Sequence, residues 1–496
     1  MSRFDVSGKN AAGFPAAFFL FVPRLASVIN YYCRFGGSSL FMKDILKRSA
    51  TAALVVLAAP SAYATNGYFL PGFGVKSQGA GGVGIAVQAD ALSQAANPAN
   101  ATQTGMRVDL GLSLFNPERK SKTGPESPAS EGGFGFNAES QSGNRLYLMP
   151  DMAFTMPVNE RLSVGVAVVG NGGMNTTYKE NIFASPGLAP LAAAAGIAGS
   201  QPDSSLGVDL MQVIAPVTAA YKLSDQHSIG ASINLAAQRF KANGIGQFAF
   251  FGISSDPEHM TNQGYDYSYG AGVRLGWLGK FANDRVSLGA TWASKTYMTK
   301  LDKYRGLFAE QGDFDIPETY GMGLAVKATE TLTVAADVVR IKYSDVAAIG
   351  NPGPGTATGS GVSQSEILLL ALSPSAAGKL GNDEGMGFGW KDMTVYKLGL
   401  IYAATPDLTL RLGYNYGKTP VRNDQLVFSA LAPGIVERHY SLGFTKKIKG
   451  EIDWELSGTY MYVANNTQEG CAQAVVDCVS FSMHQHVLGV GFGVQY

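Results

Sequence analysis

His484 and His486 stand two residues apart near the C-terminus. In an extended strand that spacing puts both imidazoles on one side. Such a pair can begin a metal site, but zinc takes three or four protein ligands, and no carboxylate or third histidine completes the set. The shared side reads as the lipid-facing side of the last strand, near the headgroups. Asp453 and Glu455 also share one side of a strand, where a paired-carboxylate acid–base role competes with simple lining of a polar lumen. No Gly-x-Ser-x-Gly occurs, and no His/Asp set is placed to serve a serine nucleophile. The glycine-rich runs follow no strand and open no helix, which argues against phosphate binding. Cys471 and Cys478 are close enough for a small loop disulfide, worth about 2–3 kcal/mol in an oxidising compartment. A metal pair is the alternative, but neither His nor further Cys flanks them at ligand spacing. The residues therefore point to no enzyme and to no cofactor or metal.

The elements that position these residues begin with an export signal. Residues 42–64 carry Lys43, Lys47 and Arg48, then an apolar run from Ala50 to Ala59, Pro60, and the small-x-small site Ala62-Tyr63-Ala64. This is the pattern of a secretory signal peptide. The run is far shorter than the roughly 20 residues of a membrane anchor. Met42 is well placed as a start, so residues 1–41, with Cys33, read as a non-native upstream extension.

Cleavage after Ala64 leaves 432 of the 496 residues. Charge is balanced, with 38 basic and 38 acidic residues, which gives no argument for nucleic acid as a partner. Charged residues make up 15%, low for a soluble surface. Glycine is abundant at 61, beside 22 Tyr and 26 Phe. An exported, weakly charged chain rich in glycine and aromatics, without spanning helices, points to an outer-membrane β-barrel.

Residues 65–105 have no strand period and hold one acid, Asp90, and one base, Lys76. Yet Phe69, Leu70, Phe73, Val75, Val83, Ile85, Val87 and Leu92 are too apolar for a free tail and too few for a core. Such a segment needs a host, so it reads as a plug inside a barrel formed by 106–496.

The barrel signal starts at once. Val108, Leu110, Leu112 and Leu114 alternate with Arg107, Asp109, Gly111 and Ser113 over Arg107–Asn116. The same period of two recurs around Val286–Trp292, Leu408–Tyr416 and Ile452–Tyr462. Short links fall near 158–161, 224–227, 282–284, 328–331, 406–407 and 449–451. Between them lie long polar stretches at 117–142, 178–207, 241–263, 300–314, 345–390, 418–433 and 464–480. Short turns on one side and long loops on the other are a barrel feature, and the segments count to about fourteen. The fold class is all-β, an antiparallel transmembrane barrel with an N-terminal plug. The final strand puts Leu488, Val490, Phe492, Val494 and Tyr496 on one face and ends on an aromatic, the form in which the barrel-assembly machinery recognises its clients.

With a signal, a plug, Asn97-Pro98-Ala99 just before strand one, and a glycine-rich run at Gly79-Ala80-Gly81-Gly82-Val83-Gly84, the chain resembles the FadL/TodX family over 65–496. That resemblance implies a monomeric outer-membrane channel for hydrophobic small molecules, in contact with outer-membrane lipid and lipopolysaccharide. Long-chain fatty acids are the first expectation and aromatic hydrocarbons or alkanes the second. It implies a hatch containing Phe69, Phe73, Asn97, Pro98 and Ala99, whose movement opens a sideways exit beside a kinked third strand. That strand is expected over about 162–178, with Gly170-Asn171-Gly172-Gly173 as the kink. Many family members carry an aromatic where Gly172 stands. The apolar segment 182–200, with Phe183, Leu188 and Leu191, and Phe248, Phe250 and Phe251 nearby, would form an oily capture surface at the mouth. Arg411 and Lys397 would offer a counter-charge to a carboxylate. A lipase-like outer-membrane enzyme and a general porin remain the readings from other classes.

Overall fold

A computed structural model describes residues 66–125, 135–185, 194, 204–373, 375–450 and 452–496. The signal peptide and the upstream extension lie outside the described residues, as do Leu188 and Leu191. No described helix is long and apolar enough to cross a membrane.

Fourteen strands make one closed sheet. They are β1 (Arg107–Thr123), β2 (Tyr147–Pro157), β3 (Leu162–Asn175), β4 (Gly207–Lys222), β5 (His227–Asn243) and β6 (Asp266–Phe281). β7 (Val286–Ala293), β8 (Thr319–Lys327), β9 (Leu332–Ile341) and β10 (Met393–Thr405) follow. β11 (Leu408–Gly417), β12 (Arg438–Ile448), β13 (Trp454–Gly470) and β14 (Val479–Gln495) complete the wall. Each strand pairs antiparallel with its neighbour in sequence, and β14 returns to β1 along Arg107–Thr123. Closure leaves no free sheet edge at the ends, which a lipid environment demands. Two short segments, Ala138–Gln141 on β1 and Tyr297–Met298 on β6, add to the wall from the long loops.

The alternation holds as the sequence implies. Leu110, Leu112, Leu412, Leu442, Leu488 and Val490 are each 42% or more exposed, while their neighbours Asp109, Ser113, Ser441 and Met461 are buried. The outward row is apolar and exposed, and the inward row lines the bore. Strands are longer than their apolar stretches: β1 continues seven residues beyond Asn116, and β13 runs to Gly470. Those extensions are polar, so hydropathy placed them in loops, whereas backbone pairing carries them upward as wall. Asp453 is also corrected. It lies exposed before β13 begins and does not face the bore.

Residues 66–105 pack inside this wall. Tyr68, Val75, Val83, Ile85 and Leu92 are all at most 3% exposed, and Phe69 and Phe73 are half-buried. The segment forms a one-turn helix, Val75–Gly79, and two 3₁₀ turns, Ala91–Ala95 and Pro98–Thr102. Glycines on the inward row make the room. A Cβ on Gly276 would lie 2.0 Å from Asn97 Oδ1, and one on Gly413 would lie 1.8 Å from the Gly81 nitrogen. Real side-chain carbons never approach so closely, so the wall's glycines are where the hatch touches it.

Candidate functional site

Three sets of contacts tie the hatch to the barrel. The first is built on Asn97. Its amide donates to the Ile85 carbonyl at 2.8 Å and to the Trp277 carbonyl of β6 at 2.9 Å, and its Oδ1 accepts from the Ala99 nitrogen at 3.0 Å. Pro98 suits the first helical position because it has no N–H to leave unpaired. Asn-Pro-Ala is thus a capped turn whose cap also grips the wall. Asn97→Asp keeps the size and the cap but sets a carboxylate against two carbonyls. We expect a hatch weakened by about 2 kcal/mol, from two lost or reversed contacts at about 1 kcal/mol each. Faster limited proteolysis within 66–105, with unchanged barrel strands, would show it.

The second set is ionic. Glu455 Oε2 of β13 lies 2.5 Å from both Lys76 Nζ of the hatch and Arg107 Nη2 of β1. Arg107 pairs with Asp109 at 2.6 Å, and Asp109 accepts from the Ala91 nitrogen of the hatch at 2.9 Å. Glu455 is therefore an electrostatic anchor, which fits lumen polarity better than acid–base work.

The third set lies at a break in the wall. β2 and β3 pair only from Met152–Val168 to Pro157–Ser163. Above Met152–Val168 the ladder between β2 and β3 stops, while residues 147–151 of β2 stay paired with β1. A bulge at Asn171 shifts its register on β4 between Gly170 and Gly172. Hatch residues take the vacated side: Leu70 N donates to the Asn171 carbonyl at 3.2 Å, Gly173 N donates to the Tyr68 carbonyl at 3.1 Å, and Phe69 pairs with Gly172. A Cβ on Gly172 would sit 1.9 Å from the Tyr68 carbonyl oxygen. Glycine at this position is what lets the hatch close on β3.

The same hatch residues wall a cavity of about 80 Å³. Phe69, Leu70, Phe73 and Ile85 line it from the hatch, and Val339 and Val395 from the barrel. Three charged side chains reach it: Arg274 of β6, Asp337 of β9 and Lys397 of β10. Asp337 and Lys397 are register partners, and Asp337 Oδ2 accepts from the Gly84 and Ile85 nitrogens. Arg274 donates to the Ala96 carbonyl at 3.3 Å, but its Nε has no hydrogen-bond partner and no ion pair is formed by it among the described residues. Arg274 was not singled out from sequence, because a lone arginine on an alternating strand looks like any lumen residue. Lys397 lines the cavity. Arg411 does not: it donates to Thr445 Oγ1 at 2.7 Å, away from the cavity-lining residues.

At the start of the hatch, Tyr68 stacks on Phe69 and contacts Phe314, Tyr343 and Trp390. A second, smaller cavity of about 30 Å³ is lined by Met174, Phe240, Phe248, Phe308, Phe388 and Phe428, among others, without a charged group. The expected capture surface needs correction here. Phe183 and Phe248 are at most 1% exposed and pack on each other, and Phe248 also packs on Phe428, so they belong to a loop core. Phe250 and Phe251 are half-buried. Among the described loop residues, Leu368, Leu369 and Leu372 of the helix Gln364–Leu372 are 59–73% exposed. Cys471 and Cys478 are joined in a disulfide in the loop before β14. His486 faces outward between Tyr460 and Tyr462, and no group of described residues could hold a metal ion.

Known proteins share this fold. The fold resembles the Pseudomonas putida toluene transporter TodX, at 18% identity and a TM-score of 0.56, covering 86% of this chain and 99% of that one. A Pseudomonas aeruginosa FadL homologue is similar at 14% identity and a TM-score of 0.59, with the same coverage. The Ralstonia pickettii toluene transporter TbuX is similar at 17% identity and a TM-score of 0.52, covering 85% and 98%. No curated protein sequence matches the chain. Residues 56–496 match the family described as outer membrane protein transport protein (OMPP1/FadL/TodX), and the chain belongs to that family of outer-membrane transporters of hydrophobic compounds.

Proposed function

We propose that this protein takes up long-chain fatty acids passively across the outer membrane. Cargo enters the hatch-side cavity with its carboxylate toward Arg274 and Lys397, and leaves sideways between β2 and β3 when the hatch segment Tyr68–Leu70 withdraws. The observation that carries this reading is that Phe69 and Leu70 both wall the cavity and close the seam. Filling the cavity and opening the exit are then one movement. The closed cavity admits only a few water-sized groups, so a long chain must displace those two side chains. Each buried methylene returns about 0.8 kcal/mol toward that displacement.

The charges support an acid as cargo. Arg274 and Lys397 face a single Asp337, leaving one positive charge in a mostly apolar site. Burying an uncompensated cation is costly, and an anionic headgroup would offset the cost. Arg274→Met should weaken fatty-acid binding by about 2 kcal/mol, roughly thirtyfold, while leaving a neutral aromatic unaffected. Equilibrium binding of oleate and of toluene to the purified protein tests this. Equal losses for both ligands would remove the carboxylate role.

The second cavity favours a neutral hydrocarbon, because its lining carries no charge. Growth of a deletion strain on oleate, toluene or an alkane, with and without the gene restored, separates the two. Restoration on toluene or alkane alone would overturn the fatty-acid reading.

A further inference from the structure

The wall is broken between β2 and β3, but it closes again above the break. Beyond 147–151, where β2 continues its ladder to β1 but not its ladder to β3, Gly143 N donates to the Thr177 carbonyl at 2.8 Å, and Ser142 bridges Tyr178. The break is therefore bounded below by Met152–Val168 and above by Ser142–Tyr178. On the β2 side the break runs over residues 144–151, between the Gly143 and Met152 contacts.

One side chain joins both flanks at the upper margin. Arg119 points inward from β1 and is 3% exposed. Its guanidinium donates to the Asn144 carbonyl on the β2 side and to the Asn175 carbonyl on the β3 side. It also reaches Ser142 Oγ and Tyr147 Oη, each at 3.4 Å, and lies over the Tyr147 ring at 5.8 Å. The Tyr147 hydroxyl in turn lies 2.5 Å from Asn175 Oδ1. No carboxylate pairs with Arg119 among the described residues. A planar fork with five donors suits this task, since it can hold two strands' carbonyls at once; an ammonium cannot hold the same geometry.

We propose that Arg119 is a positioning residue that fixes the height of the lateral window, and so makes the exit selective for slender apolar cargo over bulky polycyclic molecules. This rests on the lateral-exit reading above. The seam then works as a window with a rigid lintel, and cargo passes beneath it without unzipping β2 from β3.

Uptake of labelled oleate and of a labelled tetracyclic steroid would be compared in cells producing wild type, Arg119→Met, Arg119→Lys or Tyr147→Phe. The steroid-to-oleate ratio should rise at least fivefold in Arg119→Met, with oleate uptake changed less than twofold. Arg119→Lys should fall between, and Tyr147→Phe should give a smaller rise. A merely structural role would lower both uptakes together and leave the ratio fixed. An unchanged ratio in folded, heat-modifiable Arg119→Met overturns the proposal. If that variant does not assemble, an unchanged ratio in Arg119→Lys and Tyr147→Phe does so. A disulfide between Leu70→Cys and Gly170→Cys, whose positions face each other across the seam, separates the two claims. If oxidation leaves oleate uptake intact, the lateral exit itself falls. If oxidation blocks uptake and the ratio has not moved, only the role of Arg119 falls.

Discussion

Gly172→Val should turn this closed channel into a leaky one. The first side-chain carbon would lie 1.9 Å from the Tyr68 carbonyl oxygen, and that oxygen belongs to backbone, which cannot swing aside as a side chain can. The clash is relieved by moving the hatch end away from β3. Two backbone hydrogen bonds are then lost, Leu70 to Asn171 and Gly173 to Tyr68. Overpacking costs about 1–3 kcal/mol and each bond about 1 kcal/mol, so the closed state loses about 3–5 kcal/mol. That raises the displaced population by about two to three and a half orders of magnitude, at about tenfold per 1.4 kcal/mol. Purified Gly172→Val should conduct in planar bilayers where wild type is nearly silent, and cells should become sensitive to large antibiotics. Gly170→Ala is the control: its added carbon would meet Leu70 at 3.8 Å, an ordinary contact, and should change little. Silent Gly172→Val channels would show that Tyr68–Leu70 does not close the seam.

The second large effect is expected at Glu455. Its carboxylate joins the hatch to both β13 and β1, with Lys76 6% and Arg107 7% exposed at the side chain. Glu455→Gln leaves two buried cations with one neutral oxygen between them. Arg107 keeps Asp109, so the loss falls mainly on Lys76, whose remaining acceptor is the Ala89 carbonyl at 3.2 Å. Breaking a buried pair from one side costs about 3–5 kcal/mol. Amide exchange across 75–95 should accelerate by two to three orders of magnitude, with β1 and β13 unchanged. Removing the stranded charge as well should recover part of the loss, so Lys76→Met with Glu455→Gln should exchange more slowly than Glu455→Gln alone. A double variant as loose as the single one would place the anchoring energy elsewhere.

The parts legible from sequence were those written in local pattern. A period of two, repeated between short and long links, was enough for a closed antiparallel barrel of fourteen strands, because lipid outside and a polar bore force each strand to alternate. The composition of 65–105 was enough to require a host, since its apolar residues have no core of their own. The glycines of 170–173 marked an interruption of β3 for the same local reason.

Tertiary structure alone decided what those parts touch. Lys76 meets Glu455 across 379 positions of chain, and Tyr68 meets Tyr343 across 275. No local period encodes such pairs. The inward glycines looked like a compositional bias until the hatch lay against them, and Gly172 looked like a simple strand weakener. Phe183 and Phe248 read as greasy surface because sequence reports hydrophobicity, whereas burial depends on which loops fold over which. Arg274 and Arg119 stayed invisible for a related reason. A charged residue on an inward row is ordinary until its neighbours are known, and only the closed barrel shows one lining a mostly apolar cavity without an ion pair among the described residues and the other spanning a gap in the wall.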